Sequence, residues 1–360
     1  MKQTENLIVG LGIAGLNLCH QLEKAGKSFL VIDNCPANSA SLIAGGIYNP
    51  IALKRKLRSW LVDDLFPILI ETHRELDDKL GIRSLHHDFP ILKPISSKDE
   101  VTEWKQVIAE KRLAPFVNTI EQTAPIGPFT KDVFASVTIE HSGFVRVDKL
   151  LLAYRNYLKG KGLLIETNFD HASIRMKDHR VEYDEIQADR IIFSEGRFIS
   201  ENPYFNWVPF KPTKGQILTV RTDGSLTADR IYNQQFLLFP TEEKDVFKLG
   251  ATYEWEPLDE IPSRKATEEL LAKAEKTLTV KFEVLEEKAA VRPTVIDRRP
   301  VLGAHPDHKN LFLFNGMGTK GVMIAPYFAK QLVDHVYSGI ELDSEANLSR
   351  FAKRFNKMNT

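Results

Sequence analysis

The first thirty-three residues constrain this 360-residue chain more than any other stretch. Asn6 to Gly10 reads as a short apolar strand, and Gly10-Leu11-Gly12-Ile13-Ala14-Gly15 follows it directly. The spacing predicts a helix over Ile13 to Lys24, with Leu16, Cys19 and Leu22 three residues apart and Gly26 at the stop. Lys27 to Asp33 reads as a second strand ending in an acid. In such a βαβ unit Gly10 makes the tight turn, Gly12 lets the backbone approach a pyrophosphate, and Gly15 lets helix lie close on strand. The helix start at Ile13 and Ala14 offers unpaired N–H groups and partial positive charge to phosphate. Asp33 can accept from both hydroxyls of an adenosine ribose, and its charge would repel a 2′-phosphate. Glycines in this pattern alone are weak evidence; with the strand, the helix and the acid in place they are strong. The alternative is a βα turn that is glycine-rich for packing alone.

A second strand, glycine loop and helix closes the chain. Asn310 to Phe314 is apolar, residues 315–321 form a loop, and Val322 to Tyr337 follows with Ile324, Phe328, Leu332 and Val336 four apart. A first mononucleotide unit paired with so remote a loop is hard to explain for a compact NAD dehydrogenase. It suits FAD, whose ring lies far from its adenine. Backbone N–H groups from Gly318 to Gly321, with Gly316 and Thr319 in the same loop, can stabilise negative charge on a reduced flavin. The Lys320 ammonium either adds to that or is a surface lysine.

Residues 34–50 read as a long loop. Helices are expected over Trp60–Leu80, Ser97–Lys111, Val147–Leu158 and 264–280. Strands are expected over Leu163–Ile165, Arg180–Tyr183, Arg190–Phe193, Gln216–Val220, Phe236–Phe239 and Phe247–Ala251. The 48 basic residues balance the 48 acidic ones, so charge makes no global case for nucleic acid or an anionic membrane. No apolar run is long enough to span a bilayer, and the cytoplasm is the default location. Cys19 and Cys35 sit in no metal-like spacing, and no metal is expected; Cys35 reads as an inert buried thiol, and His86-His87 as surface histidines.

Residues 40–50, Ala-Ser-Leu-Ile-Ala-Gly-Gly-Ile-Tyr-Asn-Pro, resemble the flavin-contacting loop of the D-amino acid oxidase superfamily. Further matches follow in the family's order: residues 142–148, residues 188–196 ending Ser194-Glu195-Gly196, Lys214-Gly215-Gln216, residues 249–252, Val291-Arg292-Pro293, residues 299–303 and residues 315–326. The resemblance implies an α/β fold: a Rossmann-type FAD domain assembled from 1–55, 142–210 and 288–360, and an α+β substrate domain from 56–141 and 211–287 on a mostly antiparallel sheet. It also implies hydride transfer to flavin from a carbon bearing an amine of a small molecule, with non-covalent FAD. Ser41, Ala44, Gly45, Gly46, Ser194 and Gly196 would contact that FAD, and Asn34 and Phe169 complete the set assigned to it. Arg292 would grip a substrate carboxylate, making the substrate anionic; the alternative is a structural arginine before Pro293. Two further carboxylate partners of glycine oxidases are absent, since Leu237 and Thr319 stand near their places; Tyr232 and Tyr253 are candidates to line the pocket instead. Two other functions stay open: oxidation of a modified tRNA base, and a flavin-holding protein without turnover, favoured if Leu237 and Phe239 filled the pocket. The oligomeric state stays open too.

Overall fold

The computed structural model describes residues 1–122, 128–130, 132–177 and 179–358. One eight-stranded sheet has a parallel centre. Lys2–Val9 lies between Phe29–Ile32 and Ile186–Phe193, Leu164–Ile165 extends one side, and Leu311–Asn315 pairs with Ile186–Phe193 on the other. The inner strands are apolar on both faces, as a parallel sheet covered on both sides requires. The hairpin Ile174–Lys177 with Arg180–Tyr183 and the strand Val301–Ala304 add antiparallel edges.

The second eight-stranded sheet runs Phe282–Arg292, Thr213–Thr222, Val246–Gly250, Leu237–Pro240, Ile231–Asn233, Ile91–Ile95, Ala135–Ile139, Ile120–Gln122. Every pairing is antiparallel except Ile231–Asn233 with Ile91–Ile95. The expected mostly antiparallel sheet is therefore present. A small sheet of Ile47–Tyr48, Gly143–Val145 and Leu85–His87 joins the two halves.

Helix Ile13–Lys24 has the bounds its periodicity predicts, and it packs on the helix Gly321–Ser338. Two readings need correction, and a hairpin the sequence did not reveal joins them. Residues 34–50 are not wholly loop: Ser39 accepts from the Leu42 N–H and starts the short helix Ala40–Ile43. Residues 51–58 form a hairpin of Ile51–Ala52 with Leu57–Arg58. The 264–280 helix stops at Glu275, and the eleven-residue strand Phe282–Arg292 follows it. That strand was missed because its first half is charged and exposed, so no apolar alternation marks it.

Candidate active site

The two glycine loops, three hundred residues apart in sequence, meet in space. A Cβ at Gly321 would stand 3.0 Å from Cγ2 of Ile13, so the starts of the two helices touch and face one cleft. The cleft measures ≈ 1810 Å³ and runs from Asp33 at one end to Arg292 at the other. Typical ligand pockets span about 300–1,000 Å³, so it has room for a long, two-part ligand.

At the first end the backbone does the work. Gly10 has φ +97, and a Cβ on it would come within 2.5 Å of the Ser194 carbonyl oxygen. Gly12 caps the helix without a side chain, and the Ile13 N–H donates to Ser41 Oγ at 3.0 Å. Gly15 lies outside the cleft; a Cβ there would fall 2.0 Å from the Gly10 carbonyl oxygen. Its missing side chain makes room for the turn, a packing role like the one its spacing predicts.

Asp33 already has protein partners. Its Oδ2 accepts from the Leu11 N–H at 2.7 Å, and its Oδ1 accepts from the Cys35 N–H at 2.8 Å and from Arg155 at 2.6 Å. The carboxylate is thus held in place with about one lone pair to spare for a ribose hydroxyl, and Arg155 offsets the charge that would repel a 2′-phosphate. Arg155 went unnoticed because nothing in its helix, Val147–Gly160, marks it; only folding brings it to Asp33. Asn34 donates to Asn168, and Phe169 stacks on Tyr183 with ring centroids 4.3 Å apart; all three of Asn34, Asn168 and Phe169 line the cleft. Cys35 is exposed rather than buried, since the chain turns there with φ 54.

In the middle, Ala44, Gly45 and Gly46 form part of the wall. Gly46 has φ +64, and a Cβ on it would fall 1.9 Å from the Val145 carbonyl oxygen. A Cβ at Gly45 would press on the ring of Phe239, a residue of the second large sheet, at 2.7 Å. Across from them the buried Asn315 donates to the Gly196 carbonyl at 3.0 Å and accepts from the Gly316 N–H at 2.7 Å, fixing the 315–321 loop. Gly318 donates to the Pro293 carbonyl at 3.3 Å. Thr319 lines the cleft, and the Lys320 ammonium sits 3.4 Å from Ser59 Oγ. Burial, then the nearby Arg299 charge, lowers the Lys320 pKa. Among the described residues Lys320 makes no ion pair.

At the far end Arg292 lies flat across Gly215, where a Cβ would clash with its guanidinium at 1.9 Å. Nη1 donates to the carbonyls of Thr252 at 3.2 Å and Lys214 at 3.4 Å, and the group sits 4.6 Å from the Tyr253 ring centroid. No carboxylate of the described residues pairs with it, and burial lowers its pKa. It is anchored by backbone and unsatisfied in charge. Tyr253 lines the cleft, whereas Tyr232 is buried, its hydroxyl paired with Thr227, because its strand turns it into the core. Leu237 and Phe239 form a wall and leave the cleft open. His86 and His87 are not surface groups: His86 stacks on Phe144, and His87 Nδ1 pairs with the Tyr48 hydroxyl at 2.8 Å. No group of metal ligands occurs among the described residues.

The lining fits FAD. Ser194 Oγ and Thr294 Oγ1 are buried without partners and belong to cleft-lining residues. Two helix starts offer N–H groups to anionic atoms, and the glycine cradle would be filled by any Cβ. No helix of the described residues is long and apolar enough to cross a membrane.

A family model for FAD dependent oxidoreductases, DAO, matches residues 6–335. Glycine oxidase of Bacillus licheniformis is 22% identical over 356 residues, covering 93% of each chain. The solved iminodiacetate oxidase of Chelativorans sp. BNC1 superimposes with a TM-score of 0.79 at 22% identity, over 95% of this chain and 98% of that one. Glycine oxidase of Geobacillus kaustophilus gives 0.80 at 18% identity, over 97% and 99%.

Proposed function

From the premise that the chain belongs to the DAO family of FAD dependent oxidoreductases, we propose that it oxidises the C–N bond of a small amine carrying a carboxylate. The observation that carries this is Arg292, a half-buried guanidinium lining the cleft with no acidic partner among the described residues. A cation held partly out of water is costly unless something neutralises it, and a bidentate carboxylate is the natural partner of a guanidinium. The relatives named glycine oxidase and iminodiacetate oxidase point to the same substrate class.

FAD, when bound, supplies a two-electron acceptor for hydride from the carbon bearing nitrogen; the imine left behind is hydrolysed by water. This chain's residues supply position and charge. Arg292 holds the carboxylate, and Leu237 and Phe239 exclude water from one side. Gly12, Ile13 and Ser41 would hold the pyrophosphate end, and Asp33, Asn34 and Phe169 the adenosine end. Ala44, Gly45, Gly46, Ser194 and Gly196 border the middle. The start of Gly321–Ser338, with Thr319 and Lys320 before it, would offer N–H groups and an ammonium to negative charge on a reduced flavin, whereas the N–H groups of Gly316 and Gly318 are already taken by Asn315 and Pro293. No side chain needs to remove a proton from carbon.

The test is anaerobic mixing of the purified yellow protein with a panel of amino carboxylates. Bleaching of the flavin by at least one of them, with ammonia or an amine and a carbonyl compound as products, supports the reading. Bleaching by none of them, with bleaching by hydroxy acids instead, would replace C–N by C–O chemistry.

A further inference from the structure

We propose that the cleft beside Arg292 carries an aromatic subsite, built by Tyr253 and Trp255, that takes a planar apolar substituent on the amino carboxylate. The inference rests on the carboxylate reading of Arg292 and narrows it from the whole class to substrates bulkier than glycine.

The segment after Val246–Gly250 is extended. Lys214 donates its N–H to the Glu254 carbonyl at 2.9 Å, and the Glu254 N–H returns a bond to the Lys214 carbonyl at 3.0 Å. Successive side chains therefore alternate in direction. Thr252 turns inward and is buried; its Oγ1 accepts from the Gln216 N–H at 2.9 Å and donates to Glu254 at 2.9 Å. Tyr253 and Trp255 turn the other way, and both line the cleft. They remain 63% and 49% exposed, which is unusual for large aromatic side chains two apart in a groove.

Each ring has a cation on one side: Arg292 at 4.6 Å from the Tyr253 centroid, and Lys211 at 4.6 Å from that of Trp255. Those contacts use the face of the ring that would attract a second cation and leave apolar surface toward the cleft. The occupant that suits such surface is planar and uncharged.

The segment is also held in position. Lys214, 2% exposed, puts its ammonium 2.6 Å from Asp259, Arg197 pairs with Glu260 at 2.7 Å, and the Ser263 N–H donates to Gln216 Oε1 at 2.7 Å. The Lys214–Glu254 backbone pair at one end, and the bonds at Asp259, Glu260 and Ser263 toward the other, hold the segment, so the rings form a wall rather than a loose flap. A carboxylate on Arg292 puts the rest of its molecule against Tyr253. Glycine would end there and leave both rings wet.

The experiment is calorimetry on the FAD-loaded protein with acetate and phenylacetate, two carboxylates that differ by a phenyl ring and cannot be oxidised at a C–N bond. Phenylacetate is expected to bind about ten-fold tighter than acetate or better, a difference of about 1.4 kcal/mol. Trp255→Ala should shrink that ratio to about three-fold or less, and Trp255→Phe should restore most of it, with FAD content unchanged in both. Equal affinities in the wild type overturn the subsite, as does a ratio unaffected by Trp255→Ala. A parallel anaerobic bleaching trial with glycine, phenylalanine and N-benzylglycine separates this inference from the oxidase reading. Tight phenylacetate binding with no bleaching by any amino carboxylate sinks the oxidase and leaves the subsite standing. Bleaching by glycine alone, with equal acetate and phenylacetate affinities, does the reverse.

Discussion

The two ends of the cleft are built from different materials. The Gly10–Asp33 end is made largely of backbone: a positive φ at Gly10 and a helix start whose N-cap, Gly12, has no side chain. The Arg292 end is made of side chains from separate strands of the second sheet, with a guanidinium over Gly215 and aromatic rings from the next connection. A backbone cradle recognises a pyrophosphate common to many ligands and tolerates few substitutions. A side-chain wall selects one substrate and is free to vary. Changes at the first end should therefore cost cofactor, and changes at the second should cost turnover with the cofactor still in place.

The largest effect is expected at Gly12. Its Cβ position is only 3.0 Å from Ser41 Oγ, the group that holds the Ile13 N–H, so Gly12→Val fills the phosphate approach. The variant should fold, as judged by circular dichroism, and emerge colourless. Full flavin content in a folded Gly12→Val protein would erase the distinction between the ends.

Asp33→Ala should weaken FAD binding by about 1.5–3 kcal/mol, measured as a Kd by flavin fluorescence. Part of that loss is local, because the Leu11 and Cys35 N–H groups and Arg155 lose their acceptor. Turnover of whatever enzyme retains FAD should be near normal. A drop in kcat at saturating FAD would mean that the two ends are coupled.

A smaller effect comes from His73, on the helix Val62–Leu80 that packs against Gly321–Ser338 between the ends. Burial pushes its pKa down to about 4 from 6.5. A base depressed in the folded state costs stability as pH falls through its unfolded value, and the loss levels off below its folded one. Between those values the loss reaches about 2 kcal/mol at pH 5. Urea unfolding at pH 5 and pH 8 should show this for wild type, and His73→Leu should reduce the difference. An unchanged pH dependence would show that His73 is not buried in the neutral form.

The same contrast explains what was legible in the sequence. Gly10 to Asp33 could be placed because each residue's job follows from a fixed offset along one βαβ unit. The 315–321 loop could be placed because an apolar strand and a periodic helix bracket it. Phe282–Arg292 escaped because half of it is exposed and charged. Arg155 escaped because its partner, Asp33, is 122 positions away, and spacing carries no signal for such a pair. Tyr232 and Tyr253 looked alike in sequence, yet one is core and the other faces the groove, since strand direction is set only by the assembled sheet. Gly15 belongs with the residues of the βαβ unit: its offset marks a packing glycine, and its neighbour is the Gly10 carbonyl.

The central claim is that Arg292 reads a carboxylate, and one paired measurement tests it. Take an amino acid that bleaches the flavin, together with its amide, and determine kcat/KM for both in wild type and in Arg292→Ala. Truncating one partner of a buried charge pair costs about 2–5 kcal/mol, so the acid should lose roughly thirty-fold to several thousand-fold in kcat/KM. The amide should be a poor substrate for wild type and nearly indifferent to the change, with FAD content preserved throughout. An acid rate in Arg292→Ala within about three-fold of wild type, or an equal fall for acid and amide, would contradict the claim and make Arg292 a structural residue.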